Sequence, residues 1–104
     1  MGKTLGRSIM KHCILVKWNT LMNDKMTVVN EVKKIFDKLL TIKGIENVQL
    51  HTNVIDRSNR FDLMIIIEMD KAVLETYDKS EPHHEWKEKY GKFVENKAIF
   101  DFEE

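Results

Sequence analysis

The stretch Phe61–Met69, FDLMIIIEM, is almost continuously apolar and rich in β-branched residues. A short apolar run of this kind after the polar turn Asp56–Arg60 (DRSNR) predicts a strand that is covered on both faces. The stretch Met10–Trp18, MKHCILVKW, has the same property, because Cys13 and Leu15 lie on the face opposite its other apolar residues. These two stretches are the predicted central strands of one sheet.

The segment between the two central strands predicts a helix followed by an edge strand. Asn23 or Asp24 can cap the helix, and Gly44 stands where a left-handed residue would end it. Ile45–Val54 alternates between apolar and polar residues, as expected of a half-exposed strand. The one-sided helical pattern consists of Val28/Val29, Val32, Ile35/Phe36 and Leu39/Leu40.

The segment after the second central strand predicts a broken helix and a last strand. A helical piece spans Ala72–Tyr77, and Pro82 restarts a helix near its first turn, where proline is tolerated. Ala98–Phe102 closes the chain as a strand. The apolar stripe of the second helix is Trp86, Tyr90, Phe93 and Val94. The order β-α-β-β-α-β is that of a ferredoxin-like α+β fold.

This topology predicts a homodimer. Both helices must lie on one side of the sheet, so the other face has no cover within the chain. A soluble monomer rarely exposes such an apolar patch, and a second copy would bury it by packing sheet against sheet into a dimeric α/β barrel. The predicted patch comprises Cys13, Leu15, Met64 and Ile66.

Composition limits the partners and the setting. The 104 residues suit one domain, assigned to residues 10–104 after a flexible leader of residues 1–9. Seventeen basic and seventeen acidic residues are mixed along the chain, which argues against nucleic-acid binding. No apolar run is long enough to predict a membrane span. The single Cys13 suits a reducing, cytoplasmic setting and offers no metal-ligand pattern.

The adjacent histidines of the stretch Tyr77–Trp86 suggest a site. His83 shares the inward face of its helix with Trp86, whereas His84 is turned about 100° away toward solvent. A buried neutral imidazole needs a partner, and Asp101 on the last strand is the expected one. Tyr77 and His12 could reach the same cavity. Such polar pairs are common in protein cores, so spacing alone favours a structural role over a catalytic one.

The order and spacing of several motifs resemble the stress-responsive α/β-barrel domain family. These motifs are MKHCILVKW, FDLMIIIEM leading into VLETY, the spacing Tyr77-x5-His83, and the closing IFDF. Members of that family are ferredoxin-like chains that dimerise into a barrel. Those of the plant olivetolic acid cyclase type close a linear polyketide by intramolecular aldol condensation.

The resemblance implies roles for individual residues. The catalytic tyrosine and histidine of the cyclases fall on Tyr77 and His83, the aspartate that orients the histidine falls on Asp101, and a pocket histidine falls on His12. Ser80 and Glu81 replace the usual His-Pro, and Ile35 stands where the cyclases have a pocket tyrosine.

The resulting hypothesis is general-base chemistry in a small apolar pocket that holds a carbonyl ligand and requires no metal or organic cofactor. The expected pocket residues are His12, Ile14, Val16, Ile35 and Trp86. One alternative is a non-catalytic stress-response or ligand-binding dimer, in which the same residues are structural and side chains fill the cavity. Another is a cofactor-free monooxygenase-like protein of the same fold. A void of about 300 Å³ or more beside His83 would favour a ligand site.

Overall fold

The computed structural model describes residues 8–104, so most of the predicted leader lies outside the described residues. The strands are β1 (Ile9–Trp18), β2 (Ile45–Thr52), β3 (Leu63–Asp70) and β4 (Val94–Phe102). The α-helices are α1 (Lys25–Asp37), α2 (Leu74–Asp78) and α3 (Glu81–Tyr90). Three short 3₁₀ segments, Lys38–Thr41, Lys71–Val73 and Gly91–Phe93, follow α1, precede α2 and follow α3.

The four strands form one antiparallel sheet in the order β2-β3-β1-β4. The predicted central strands β1 and β3 therefore occupy the middle of the sheet, and the fold is ferredoxin-like α+β, as the sequence predicts. Ile14 pairs with Ile65 on β3 and with Ile99 on β4. This register fixes which side chains share a face, because directly paired residues point to the same side of an antiparallel sheet.

The helices cover one face of the sheet and enclose the core. Asp24 caps α1 by accepting a hydrogen bond from the backbone N–H of Thr27 at 3.1 Å, which confirms one of the two predicted caps. Gly44 turns the chain into β2 with φ of 99°, a conformation that favours glycine, and a Cβ there would lie 2.7 Å from Val73. The fully buried side chains of this layer include Val16, Val32, Phe36, Leu39, Ile65 and Ile67.

The second half of the helix layer differs from the sequence prediction at its end. Helix α3 stops at Tyr90, and Val94 begins β4 opposite Trp18 instead of continuing the helix stripe. The last strand thus starts four residues earlier than Ala98. The prediction was wrong because Val94 lies at helical spacing from Trp86 and Tyr90, whereas the pairing with β1 that makes it a strand residue is a long-range contact.

Among residues 8–104, no element covers the face of the sheet opposite the helices. Register places Cys13 opposite Phe100 and Ile66, and Leu15 opposite Met64. The side chain of Phe100 is 66% exposed. We call this surface the open face, and its apolar residues are Cys13, Leu15, Met64, Ile66, Ala98, Phe100 and Phe102. Within residues 8–104, no helix is long and apolar enough to cross a membrane.

Candidate active site

A buried imidazole and a carboxylate meet where β1 and β4 pair. His12 lies directly opposite Asp101 on the helix side of the sheet, and its Nδ1 lies 2.5 Å from Oδ1 of Asp101. Because a carboxylate can only accept, Nδ1 of His12 carries the hydrogen. The His12 side chain is 7% exposed, whereas that of Asp101 is 41% exposed at the sheet edge. The pair therefore runs from the core to the surface.

Tyr77, in α2, lies against this pair. Its ring centroid is 5.3 Å from that of His12, in an edge-on arrangement. The residue is 1% exposed, and its hydroxyl is the one buried side-chain polar atom of the described residues that has no hydrogen-bond partner. Burial raises the pKa of the Tyr77 phenol well above its ordinary value of 10.0, and the nearby Asp78 and Asp101 charges raise it further. Tyr77 is thus a permanently protonated donor with no acceptor.

His83, in α3, also packs against Tyr77. The two ring centroids are 4.7 Å apart. Nδ1 of His83 donates to the backbone carbonyl of Asp78 at 2.9 Å, which leaves Nε2 as the nitrogen with the lone pair. Ser80 caps α3 by accepting from the His83 N–H, and this fixes the backbone that carries the ring. His84 is exposed on the outer face of the helix.

Burial lowers the pKa of His83 below its ordinary value of 6.5. The hydrogen bond to the Asp78 carbonyl and the Asp78 charge oppose this shift, whereas the charges of Lys87 and Lys97 reinforce it. The net effect favours the neutral imidazole near pH 7, which is the form that can accept a proton. Tyr77 is therefore in ring contact with two imidazoles, and Nε2 of His83 carries a lone pair that can accept a proton.

The predicted pairing of His83 with Asp101 is wrong. Asp101 binds His12, and the Asp78 carbonyl takes the place beside His83. The physical reason is strand register: β1 and β4 align so that His12 and Asp101 are cross-strand partners on one face. The sequence also did not identify the Asp78 carbonyl as the partner of His83, because every residue has a backbone carbonyl and residue type therefore does not indicate this acceptor.

The apolar residues predicted to line a pocket belong to the packed core. Ile14, Val16, Ile35 and Trp86 are all at most 4% exposed and pack in the same hydrophobic cluster as Tyr77. The rings of Trp86 and Phe36 lie 5.5 Å apart within it. These side chains fill the space between sheet and helices instead of bordering an open chamber beside His83.

An open depression of about 300 Å³ reaches Asp101, the exposed member of the polar cluster formed by His12, Tyr77, His83 and Asp101. It is lined by Met10, Lys71, Asp101, Phe102 and Glu103. Of His12, Tyr77, His83 and Asp101, the depression reaches only Asp101. Among residues 8–104, no group of three or more His, Cys, Asp or Glu side chains is arranged to hold a metal ion.

The fold places the chain in the structural class of ferredoxin-like α+β proteins, whose solved members include dimers. A dimeric ferredoxin-like protein of unknown function from Thermobifida fusca YX is similar, with a TM-score of 0.79 and 15% identity over 99% of this chain and 97% of that one. A dabb family protein from Mesorhizobium loti has a TM-score of 0.69 and 14% identity over 92% and 96% of the two chains.

The hydroxynitrile lyase from Passiflora edulis has a TM-score of 0.73 and 13% identity over 94% of each chain. At these identities the similarity shows a shared fold. No protein-family model matches the sequence, and no curated protein matches it significantly.

Proposed function

We propose that this chain forms a homodimeric α/β barrel with a small general-base site centred on Tyr77. The observation that carries the proposal is the Tyr77 hydroxyl, which is buried and has no hydrogen-bond partner among residues 8–104, on a ring that packs against the imidazoles of His12 and His83. An unpaired buried hydroxyl costs about 1–3 kcal/mol. Ligand sites are where proteins retain such unsatisfied groups, because the ligand supplies the missing partner.

The proposed reaction is proton removal from a carbon next to a carbonyl group. Nε2 of His83 takes the proton, and the electron pair of the broken C–H bond becomes the C=C bond of an enolate. The Tyr77 O–H donates to the oxygen on which the negative charge develops. Because burial keeps the Tyr77 phenol protonated, it retains the hydrogen that it must donate.

The remaining polar groups hold these two side chains in place. The Asp78 carbonyl fixes the tautomer of His83, the role first expected of Asp101. Asp101 instead holds the ring of His12, which packs edge-on against Tyr77. Intramolecular aldol closure, the reaction of the polyketide cyclases that the sequence resembles, starts with the same proton transfer. A general-base site of this kind also suits related lyase and isomerase reactions.

The proposed dimer joins two copies through the open face. Within one chain, Phe100 is 66% exposed and Met64 is 36% exposed on that face. A second copy related by a two-fold axis offers the same apolar surface and would cover both. The dimeric state of the similar Thermobifida fusca protein supports a dimer of this fold.

The general-base proposal is tested by hydrogen exchange on a simple carbonyl compound. Ethyl 2-methylacetoacetate has one hydrogen between two carbonyl groups, and ¹H NMR in D₂O follows its loss. We expect the wild-type protein to accelerate this exchange over buffer and His83→Gln to lower the acceleration by about 100-fold or more. His84→Gln is the matched control, because it makes the same change one residue away on the exposed face.

Exchange at the buffer rate with wild-type protein, or equal acceleration by wild-type protein and His83→Gln, would refute the general base. Circular dichroism of both variants establishes that they are folded, so that lost activity is not lost structure.

A second candidate function is a non-catalytic dimer, and one observation favours it. Tyr77 and His12 are 1% and 5% exposed, so the cluster is closed in this conformation. On this reading, the hydrogen bond between His12 and Asp101 simply ties β4 to β1. The two candidates differ in the stability of His83→Gln: a structural role predicts a marked loss of stability without any loss of binding or activity.

A further inference from the structure

A single serine lies at the break between α2 and α3, the two helices that carry Tyr77 and His83. The Ser80 hydroxyl donates a hydrogen bond to the backbone carbonyl of Tyr77 at 2.7 Å. The same oxygen accepts a hydrogen bond from the backbone N–H of His83 at 3.3 Å. One side-chain oxygen therefore connects the main chains of the two residues whose rings lie 4.7 Å apart.

Pro82 explains why this cap falls on His83. The side chain of an N-cap residue accepts from the N–H of the second or third helical residue. Ser80 is the N-cap of α3, and the second helical residue is Pro82, which has no N–H. His83, the third residue, is therefore the donor that remains for Ser80. The order Ser80-Glu81-Pro82-His83 thus directs the cap to the residue that carries the proposed base.

The hydrogen bonds of Ser80 matter most for Tyr77, because α2 is short. Its five residues, Leu74–Asp78, form little more than one turn, and an isolated helix of this length is not stable in water. The backbone N–H of Ser80 also donates to the Tyr77 carbonyl, at 3.0 Å. One residue further on, the Asp78 carbonyl accepts from Nδ1 of His83. The end of α2 is thus joined to the start of α3 by hydrogen bonds from Ser80 and His83.

We infer that Ser80 is the positioning residue of the candidate site, whose hydroxyl sets the distance between the Tyr77 donor and the His83 base. Ser80 acts through the main chain of both residues. Without its hydroxyl, the end of α2 can move relative to the start of α3, and a displacement of about 1 Å can slow a reaction by about 100-fold. This inference rests on the proposed function, because it assigns the group that fixes the geometry of that site.

Three substitutions separate positioning from helix capping alone. Ser80→Ala removes both hydrogen bonds of the side chain, and Ser80→Thr keeps a hydroxyl that can form both. Ser80→Asp keeps an acceptor for the His83 N–H, but an ionised carboxylate cannot donate to the Tyr77 carbonyl. A serine that only caps α3 predicts wild-type behaviour for Ser80→Asp, whereas a positioning serine predicts the behaviour of Ser80→Ala.

The first measurement is the spacing of the two rings, from nuclear Overhauser effects between the ring protons of Tyr77 and His83. We expect these signals in wild-type protein and in Ser80→Thr, and we expect their loss in Ser80→Ala and Ser80→Asp. The second measurement is the exchange of ethyl 2-methylacetoacetate in D₂O. In the latter two variants kcat should fall about 10-fold or more with little change in KM, because the lost alignment acts in the transition state.

Asp24→Ala is the matched control. Asp24 caps α1 as Ser80 caps α3, by accepting from the backbone N–H of the third helical residue, Thr27. Its removal weakens a helix start without touching the break between α2 and α3. We therefore expect Asp24→Ala to lower Tm about as much as Ser80→Ala and to leave the Overhauser signals and kcat at their wild-type values.

The possible failures are distinguishable. Wild-type ring signals and kcat in Ser80→Ala would overturn the inference, and so would wild-type values in Ser80→Asp, because capping alone would then be sufficient. If Ser80→Ala does not fold, the comparison of Ser80→Thr with Ser80→Asp gives the same decision. If wild-type protein does not accelerate the exchange, the general base is refuted, and the ring signals still decide whether Ser80 holds Tyr77 against His83.

Discussion

Removing the hydroxyl of Tyr77 should stabilise the protein. In Tyr77→Phe the ring keeps its contacts with His12 and His83, while the one buried side-chain polar atom of residues 8–104 without a partner disappears. The penalty for an unpaired buried hydroxyl is about 1–3 kcal/mol. Loss of the oxygen also leaves a small void, so we expect a net gain near the lower end, about 1 kcal/mol.

The assay is urea denaturation at a fixed protomer concentration, because association with a second copy contributes to apparent stability. A gain of about 1 kcal/mol corresponds to a rise in Tm of about 4–8 °C for a domain of this size. Tyr90→Phe is the matched control: Tyr90 is the other tyrosine of the chain, and its half-buried position leaves its hydroxyl within reach of water. Its effect should stay within about 0.5 kcal/mol.

Loss of stability on Tyr77→Phe would refute this reasoning, because it would mean that the hydroxyl has a partner in the resting protein. The same variant should slow the exchange of ethyl 2-methylacetoacetate, since the donor to the enolate oxygen is gone. A more stable but less active protein is the combination expected of a functional group retained at the expense of stability.

The remaining predictions concern Asp101, His83 and the open face. Asp101→Ala should lower the free energy of unfolding in urea by about 2 kcal/mol, because it leaves the buried Nδ1–H of His12 unpaired. Asp101→Asn keeps an acceptor and should lower it by less than half as much. Equal losses in the two variants would contradict the pairing of Asp101 with His12. The pKa of His83 should lie below 6.5 by NMR. Since the unfolded chain then binds a proton at a higher pH than the folded one, stability should fall as pH drops below about 6.5, and His83→Gln should reduce that dependence. Phe100→Glu should yield monomers in sedimentation velocity, whereas Leu21→Glu, equally exposed outside the sheet, should remain dimeric; two dimers would exclude the open face as the interface.

Much of the fold was predictable because its decisive signals are local. Strands β1 and β3 carry apolar residues on both faces, which only central positions in the sheet explain. Asp24 marks the start of α1 through its side-chain acceptor, and Gly44 has the predicted positive φ, although α1 ends at Asp37 and the 3₁₀ segment after it ends at Thr41. The beginning of β4 was not predictable in this way, because Val94 fits the helix stripe and its strand partner, Trp18, is distant in sequence.

The site was only partly predictable, for the same reason. Helix periodicity separates an inward His83 from an outward His84, and the structure places them so. Which group each imidazole binds depends on the alignment of β1 with β4 and on a backbone carbonyl. A residue-type pattern contains neither, so Asp101 was assigned to the wrong histidine.

His83 pairs with the Asp78 carbonyl and not with Asp101, and this difference affects its strength as a base. A carboxylate beside an imidazole stabilises the protonated form, raises the pKa of the ring and so makes it a stronger base. The neutral Asp78 carbonyl raises the pKa of His83 less, and the lowering of this pKa by burial is larger. The result is a weak base that is unprotonated near pH 7. Such a base removes only fairly acidic protons efficiently, and a carbon between two carbonyl groups meets that requirement better than a simple ketone.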